Sequence, residues 1–161
     1  TFSLVEGQIV VVPDGVKPEE QPTYVRPRRQ LAAGPSEILA SGFAWPASGY
    51  ISQGYTWYHP GIDIAADYGT PIVAATNGTV SEVYSGGWNG GYGIYVTIAG
   101  ANASTTLYSH LSATNVNPGD TVTGGKTTIG WIGMTGRTTG PHVHFEVRTS
   151  GGSTNPLSVL N

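Results

Sequence analysis

"TTGPHVHFEVR", residues 138–148, is the stretch whose reading decides how this 161-residue chain folds. Val143, Phe145 and Val147 are apolar, while His142, His144, Glu146 and Arg148 between them are polar. Alternation with period two, carried by β-branched and aromatic residues, predicts a half-buried strand. On a strand, residues i and i+2 share a face and stand about 6.6 Å apart. His142 and His144 therefore look out of one side, with Glu146 next along the same row. They are half of the four histidines in the chain.

Working outward, the same signal recurs in short runs: "PIVAATNGTVSEVY" (71–84), "GIYVTIAG" (93–100), "STTLYSHL" (104–111) and "TIGWIG" (128–133). Asn77-Gly78 predicts a type I′ hairpin between two runs, and "NPGD" (117–120) a further turn. No stretch beyond residue 42 holds a helical period for three turns. Of the 24 glycines, 21 fall from Gly42 onward. The expected fold is mainly β: a small antiparallel β-sheet domain over residues 42–161, assembled from hairpins.

The first 41 residues differ in character. Nine of the 17 charged residues lie in the first 40 positions. Residues 16–41 are dense in proline and charge and read as an extended linker or strap. Residues 1–15 carry an apolar run, Ile9 to Val12, closed by Pro-Asp-Gly. That run reads as a strand, or as similar to the last strand of a LysM peptidoglycan-binding module. The chain opens on Thr1 without a signal-peptide pattern, as a piece of something longer would.

Composition narrows the function. A net charge of −3 offers no basic field for nucleic acid, and no apolar run reaches membrane-spanning length. With no cysteine, thiolate nucleophiles and Cys-ligated zinc are excluded. His, Asp and Glu remain as strong metal ligands. His59 and Asp63 form H-x-x-x-D, but Pro60 and Gly61 between them argue against a helix. A turn leading into a strand lets the two side chains converge instead. Two neutral imidazoles and one carboxylate are a catalytic zinc set with its fourth position open. An octahedral oxygen site would need more carboxylates.

The motifs "HPGIDIAADYGTPIVAATNGTV", "LYSHL", "PGDTV" and "GMTGRTTGPHVHFEVR" resemble, in order and spacing, the lysostaphin/LytM-type zinc metallopeptidases, over roughly Gly42 to the C-terminus. The resemblance implies a narrow groove with zinc (Zn2+) on its floor. His59, Asp63 and His144 become the ligands, and His110 and His142 the catalytic pair outside the metal shell. Met134 stands where the family commonly has a small residue. Tyr55 or Tyr58 is a candidate transition-state tyrosine. Trp88 and Tyr92, in the glycine-rich loop 84–93, are candidate groove-wall contacts. Glu146 has two readings: orienting a ligand imidazole, or a surface salt bridge with Arg148 or a neighbouring strand.

The function implied is zinc-dependent hydrolysis of amide bonds in peptidoglycan peptides, D,D-crosslinks favoured over glycine bridges. A zinc-lowered water pKa supplies the nucleophile, and His110 and His142 share the proton work. The alternative is a non-catalytic LytM-like module that binds the wall or activates another cell-wall enzyme; such modules typically lack several ligand positions. A cupin-type metal site fails, because it needs a histidine downstream of His144. Peptidoglycan is the expected partner, and the expected location is extracytoplasmic, in a bacterium or phage.

Overall fold

The computed structural model describes residues 31–32, 37–101 and 103–161. The LysM-like run at 9–12 and the strap around 24–29 lie outside the described residues. Eleven strands are present among them: β1 (Leu31–Ala32), β2 (Gly49–Gln53), β3 (Ile62–Ala65), β4 (Pro71–Val73), β5 (Gly78–Tyr84), β6 (Ile94–Gly100), β7 (Thr105–Thr114), β8 (Thr121–Val122), β9 (Thr128–Ile132), β10 (His142–Thr149) and β11 (Gly152–Thr154). Helix is limited to two 3-10 turns, Asn89–Gly91 and Pro156–Ser158. The mainly β, antiparallel architecture expected from the periodicity is what forms.

The strands run in the order β1-β2-β3-β10-β7-β6-β5-β8, with β11 on the far end of β10 and β9 bridging β4 and β7. β10 is thus interior, paired antiparallel with β3 on one side and β7 on the other. Its apolar row joins Ile62 and Ile64 of β3 and Tyr108 of β7 in the core, where Val143, Phe145 and Val147 are all essentially inaccessible. The one polar atom in that group is satisfied. The Tyr108 hydroxyl accepts the Ala75 N–H at 2.7 Å and donates to Thr106 Oγ1 at 2.9 Å. Burying an aromatic hydroxyl without partners would cost stability.

Two expectations are corrected. Asn77-Gly78 does not join a hairpin: β4 pairs with β9, while β5 pairs with β6 and β8. The Asn77 side chain instead accepts the Gly124 N–H at 2.9 Å, so the dipeptide pins a chain corner. Nor is β10 only half-buried. His144 and Glu146, on the polar row, are 5% and 0% exposed. Alternation correctly assigned the faces, but the polar face is roofed by the segment around Tyr92.

Candidate active site

Register brings the first two site residues together. His144 lies directly opposite Asp63 across the β3–β10 ladder, and directly opposed residues present side chains on the same face. His59 comes from the turn before β3, where Thr56 and His59 exchange backbone hydrogen bonds. The turn must press close to β10. A Cβ on Gly61 would collide with the Phe145 carbonyl and crowd the His144 ring, so only glycine fits there.

His110 reaches the groove by a different device. Alternation along β7, with Tyr108 in the core, would turn His110 back toward the core as well. Its φ of 63° breaks that alternation, in a region that side-chain-bearing residues rarely adopt. The β7–β10 ladder ends at Ser109–His144. Beyond it, the His110 ring packs against that of His142, with centroids 4.7 Å apart. Backbone strain of this kind concentrates at functional sites.

Each of the four imidazoles commits one nitrogen to a fixed acceptor. Nδ1–H donates to a carbonyl at 2.8 Å in three of them: Gly54 for His59, Thr135 for His110 and Gly140 for His142. In His144 the committed nitrogen is Nε2, which donates to Glu146 Oε1 at 3.0 Å. A carbonyl can only accept, so these contacts set the tautomers. The free nitrogens of His59 and His144 then converge on Asp63. His59 Nε2 and His144 Nδ1 lie 3.0 and 2.8 Å from Asp63 Oδ1, and 3.0 Å from each other.

Three electron-rich atoms this close require a cation among them. Without a metal, a proton on His144 serves. Burial, the largest influence, lowers the His144 pKa, yet hydrogen bonds to Asp63 and Glu146 overcome it and push the imidazole up to about 9. For Asp63, burial raises the pKa, but the His144 hydrogen bond and the nearby imidazoles together hold the carboxyl below its ordinary value. A divalent metal meets the same demand with the donor set that zinc prefers. His59, Asp63 and His144 are a group able to hold a metal ion, their donor atoms all within 4.8 Å of one another.

Behind His144 stands a buried network. Glu146 Oε1 also accepts the Tyr92 hydroxyl at 2.7 Å, and Oε2 accepts Arg148 Nε at 2.7 Å. Burial, followed by that bond to Glu146, pushes the Tyr92 hydroxyl up to about 12. The salt bridge with Arg148 forms, but with the Glu146 side chain wholly buried rather than at the surface, and the same carboxylate holds the His144 ring.

The cluster opens into a cavity of about 500 Å³ lined by His59, Asp63, His110, His142 and His144, with Gln53, Tyr58, Tyr92, Arg137, Thr138 and Thr139 among the walls. All five sequence-derived site residues thus share one groove, and Tyr58 and Tyr92 join them. Tyr55 does not: its hydroxyl turns away to the Ser153 carbonyl at 3.0 Å. Trp88 is 61% exposed and outside the lining residues, although its loop contributes Gly90 and Gly91. Met134 is 48% exposed, so its extra bulk meets solvent rather than core. Arg137 and the two threonines are wall residues that the sequence does not single out, because nothing in "GRTTG" separates a wall from a solvent loop.

A sheet-built groove with a His-Asp-His cluster on its floor defines a metallopeptidase-like site. The family model for Peptidase family M23 matches residues 57–156, and the chain belongs to that family. It is 48% identical over 106 residues to the DD-carboxypeptidase/endopeptidase Mpg of Neisseria meningitidis serogroup B, covering 65% of this chain and 24% of that protein. Among solved structures, the antimicrobial peptidase lysostaphin from Staphylococcus simulans aligns with a TM-score of 0.60 at 33% identity, over 70% of this chain and 48% of that one. A zinc-containing peptidase from Vibrio cholerae aligns at 0.56 and 30%, over 79% and 35%. The chain spans about a quarter of the length of the first of these relatives.

Proposed function

We propose that this chain is a zinc-dependent endopeptidase that hydrolyses amide bonds in peptidoglycan peptides, acting outside the cytoplasm and of bacterial or phage origin. The observation that carries the reading is the convergence of His59 Nε2, Asp63 Oδ1 and His144 Nδ1 at 2.8–3.0 Å, on the floor of an open groove. These three residues would hold the metal. When bound, zinc supplies a Lewis acid that polarises an amide carbonyl and makes water nucleophilic near neutral pH.

The chain's own residues do the rest. With Nδ1–H tied to the Thr135 carbonyl, His110 keeps Nε2 as its lone-pair nitrogen. Burial lowers its pKa to about 4, so the ring is neutral at physiological pH and free to take a proton from the attacking water. His142 is anchored in the same way through Gly140, and its Nε2 stands 3.7 Å from Asp63 Oδ2. In its neutral form that Nε2 accepts a proton, and only as an imidazolium, with both ring nitrogens protonated, does it donate to the developing oxyanion or to the leaving amine. Tyr58, 65% exposed beside His59, is the better placed of the two candidate tyrosines for contact with substrate.

Preference for D,D-bonds over glycine bridges is supported by the relative named a DD-carboxypeptidase/endopeptidase. The non-catalytic alternative gains nothing from a site in which all five positions are filled and oriented. No helix among the described residues is long and apolar enough to cross a membrane.

The ligand assignment is tested by metal content. Roughly one zinc per chain should copurify, and His59→Ala or Asp63→Ala should abolish retention, since each removes one of three protein ligands. Stoichiometric zinc in both variants would overturn the assignment.

A further inference from the structure

The described residues carry three cationic side chains: Lys126, Arg137 and Arg148. Arg148 is paired with Glu146, and Lys126 lies outside the groove. Of these three, Arg137 lines the cavity that holds the histidine cluster, where it is exposed and forms no ion pair with any described residue. The exposed carboxylates Glu37, Asp67, Glu82 and Asp120 are all elsewhere on the surface. Among the described residues, Asp63, committed to the imidazoles, is the one acidic side chain that lines the groove with Arg137.

The loop that carries Arg137 is held in place. The Arg137 N–H donates to the Gly91 carbonyl at 2.7 Å, and Thr135 Oγ1 accepts the Ile94 N–H at 3.0 Å while donating to the Leu111 carbonyl at 2.7 Å. Gly136 beside it has φ 74° and packs so closely on Gly91 and Gly93 that a side chain there would collide with backbone. Arg137 is therefore carried on a groove wall built of two interlocked loops. A guanidinium is the group best suited to grip a planar carboxylate through two parallel N–H bonds.

We infer that Arg137 binds a free carboxylate of the substrate, carried by the amino acid that supplies the leaving amine. This inference rests on the peptidoglycan-peptidase reading and specifies its substrate class. A D,D-amide has that carboxylate on the carbon next to the scissile nitrogen, both at a D-alanyl-D-alanine chain end and at a crosslink to the D-centre of a diaminodicarboxylic acid. An interior glycine–glycine bond has an amide there instead. Arg137 thus selects acid-bearing D,D-bonds against glycine bridges and against amidated peptides. One side chain serves a terminal-residue cleavage and a crosslink cleavage alike.

The test measures kcat/KM on a crosslinked dimer and on a linear D-alanyl-D-alanine pentapeptide, each made as the free acid and as the carboxamide. A solvent-exposed charge-assisted pair should give the native chain a preference for acid over amide of about tenfold. In Arg137→Gln that ratio should fall to near one, and in Arg137→Lys to an intermediate value, with zinc content and thermal midpoint as in the native chain. A preference confined to the dimer, or to the pentapeptide, and lost in Arg137→Gln assigns the carboxylate to the crosslink or to the chain end. Equal cleavage of acid and amide by the native chain, or a preference that survives Arg137→Gln, overturns the inference and leaves the peptidase reading intact. Cleavage of none of the four peptides by zinc-loaded native chain overturns the peptidase reading itself, and the inference with it.

Discussion

His110 is the residue in which backbone, burial and chemistry meet most directly. Its left-handed φ carries it off the core side of β7, the Thr135 carbonyl fixes its tautomer, and burial keeps it neutral. His110→Ala should retain zinc and fold while losing about 10²–10⁴-fold in hydrolysis, the usual contribution of a general acid–base group. Activity within a few-fold of the native chain would remove its role. Its pKa also predicts a stability effect. Between its ordinary value of 6.5 and the folded value of about 4, the unfolded chain binds a proton that the folded chain refuses. This contribution to stability is therefore lost as pH falls through that window. In chelator-treated protein, His110→Gln should flatten the acid side of the stability curve, as read by thermal unfolding from pH 7 to 4. Glu146 acts one step further back. Glu146→Ala should weaken zinc affinity about 10–100-fold, measured by chelator competition, with Tyr92→Phe giving a smaller loss in the same direction.

At the scale of elements, the site depends on close approach. Gly61→Ala should destabilise the fold by about 1–3 kcal/mol through overpacking against β10, and should reduce zinc occupancy because His59 moves with the turn. A denaturant midpoint unchanged from the native chain would contradict this. The same scale shows what the sequence could and could not reveal. Alternation in 142–148 and the short β runs marked the strands and put His142, His144 and Glu146 on one face, because period two is a local property. Asn77-Gly78 misled, since a turn dipeptide fixes a bend and not the partner of the strand that follows. The roof over Glu146 was invisible because it depends on where Tyr92 arrives, 54 residues away. His110 could be named only through resemblance to known metallopeptidases, as its orientation comes from a single unusual φ inside a strand. Arg137 falls inside the motif that carries the family resemblance, yet nothing in the sequence puts it on the groove wall: the interlock of its loop with Gly91 exists only in three dimensions.

For the whole molecule, an interior strand supplies both core and site. The apolar row of β10 closes the hydrophobic interior while its polar row holds His142, His144 and Glu146, so the strand that completes the core also carries the site. The groove that results is open and lightly charged, which suits an extended peptide of small residues. The central claim is that zinc held on its floor cleaves peptide amides of the cell wall. Its most direct test is digestion of purified peptidoglycan sacculi by the zinc-loaded chain, with new amino groups, new reducing ends and fragment masses measured together. The account predicts new amino groups and fragments cut at the peptide crosslinks, no reducing ends, and no release by the His110→Ala variant. Reducing ends without free amines, or no products from zinc-loaded protein on either D,D-crosslinked or glycine-bridged walls, would contradict it.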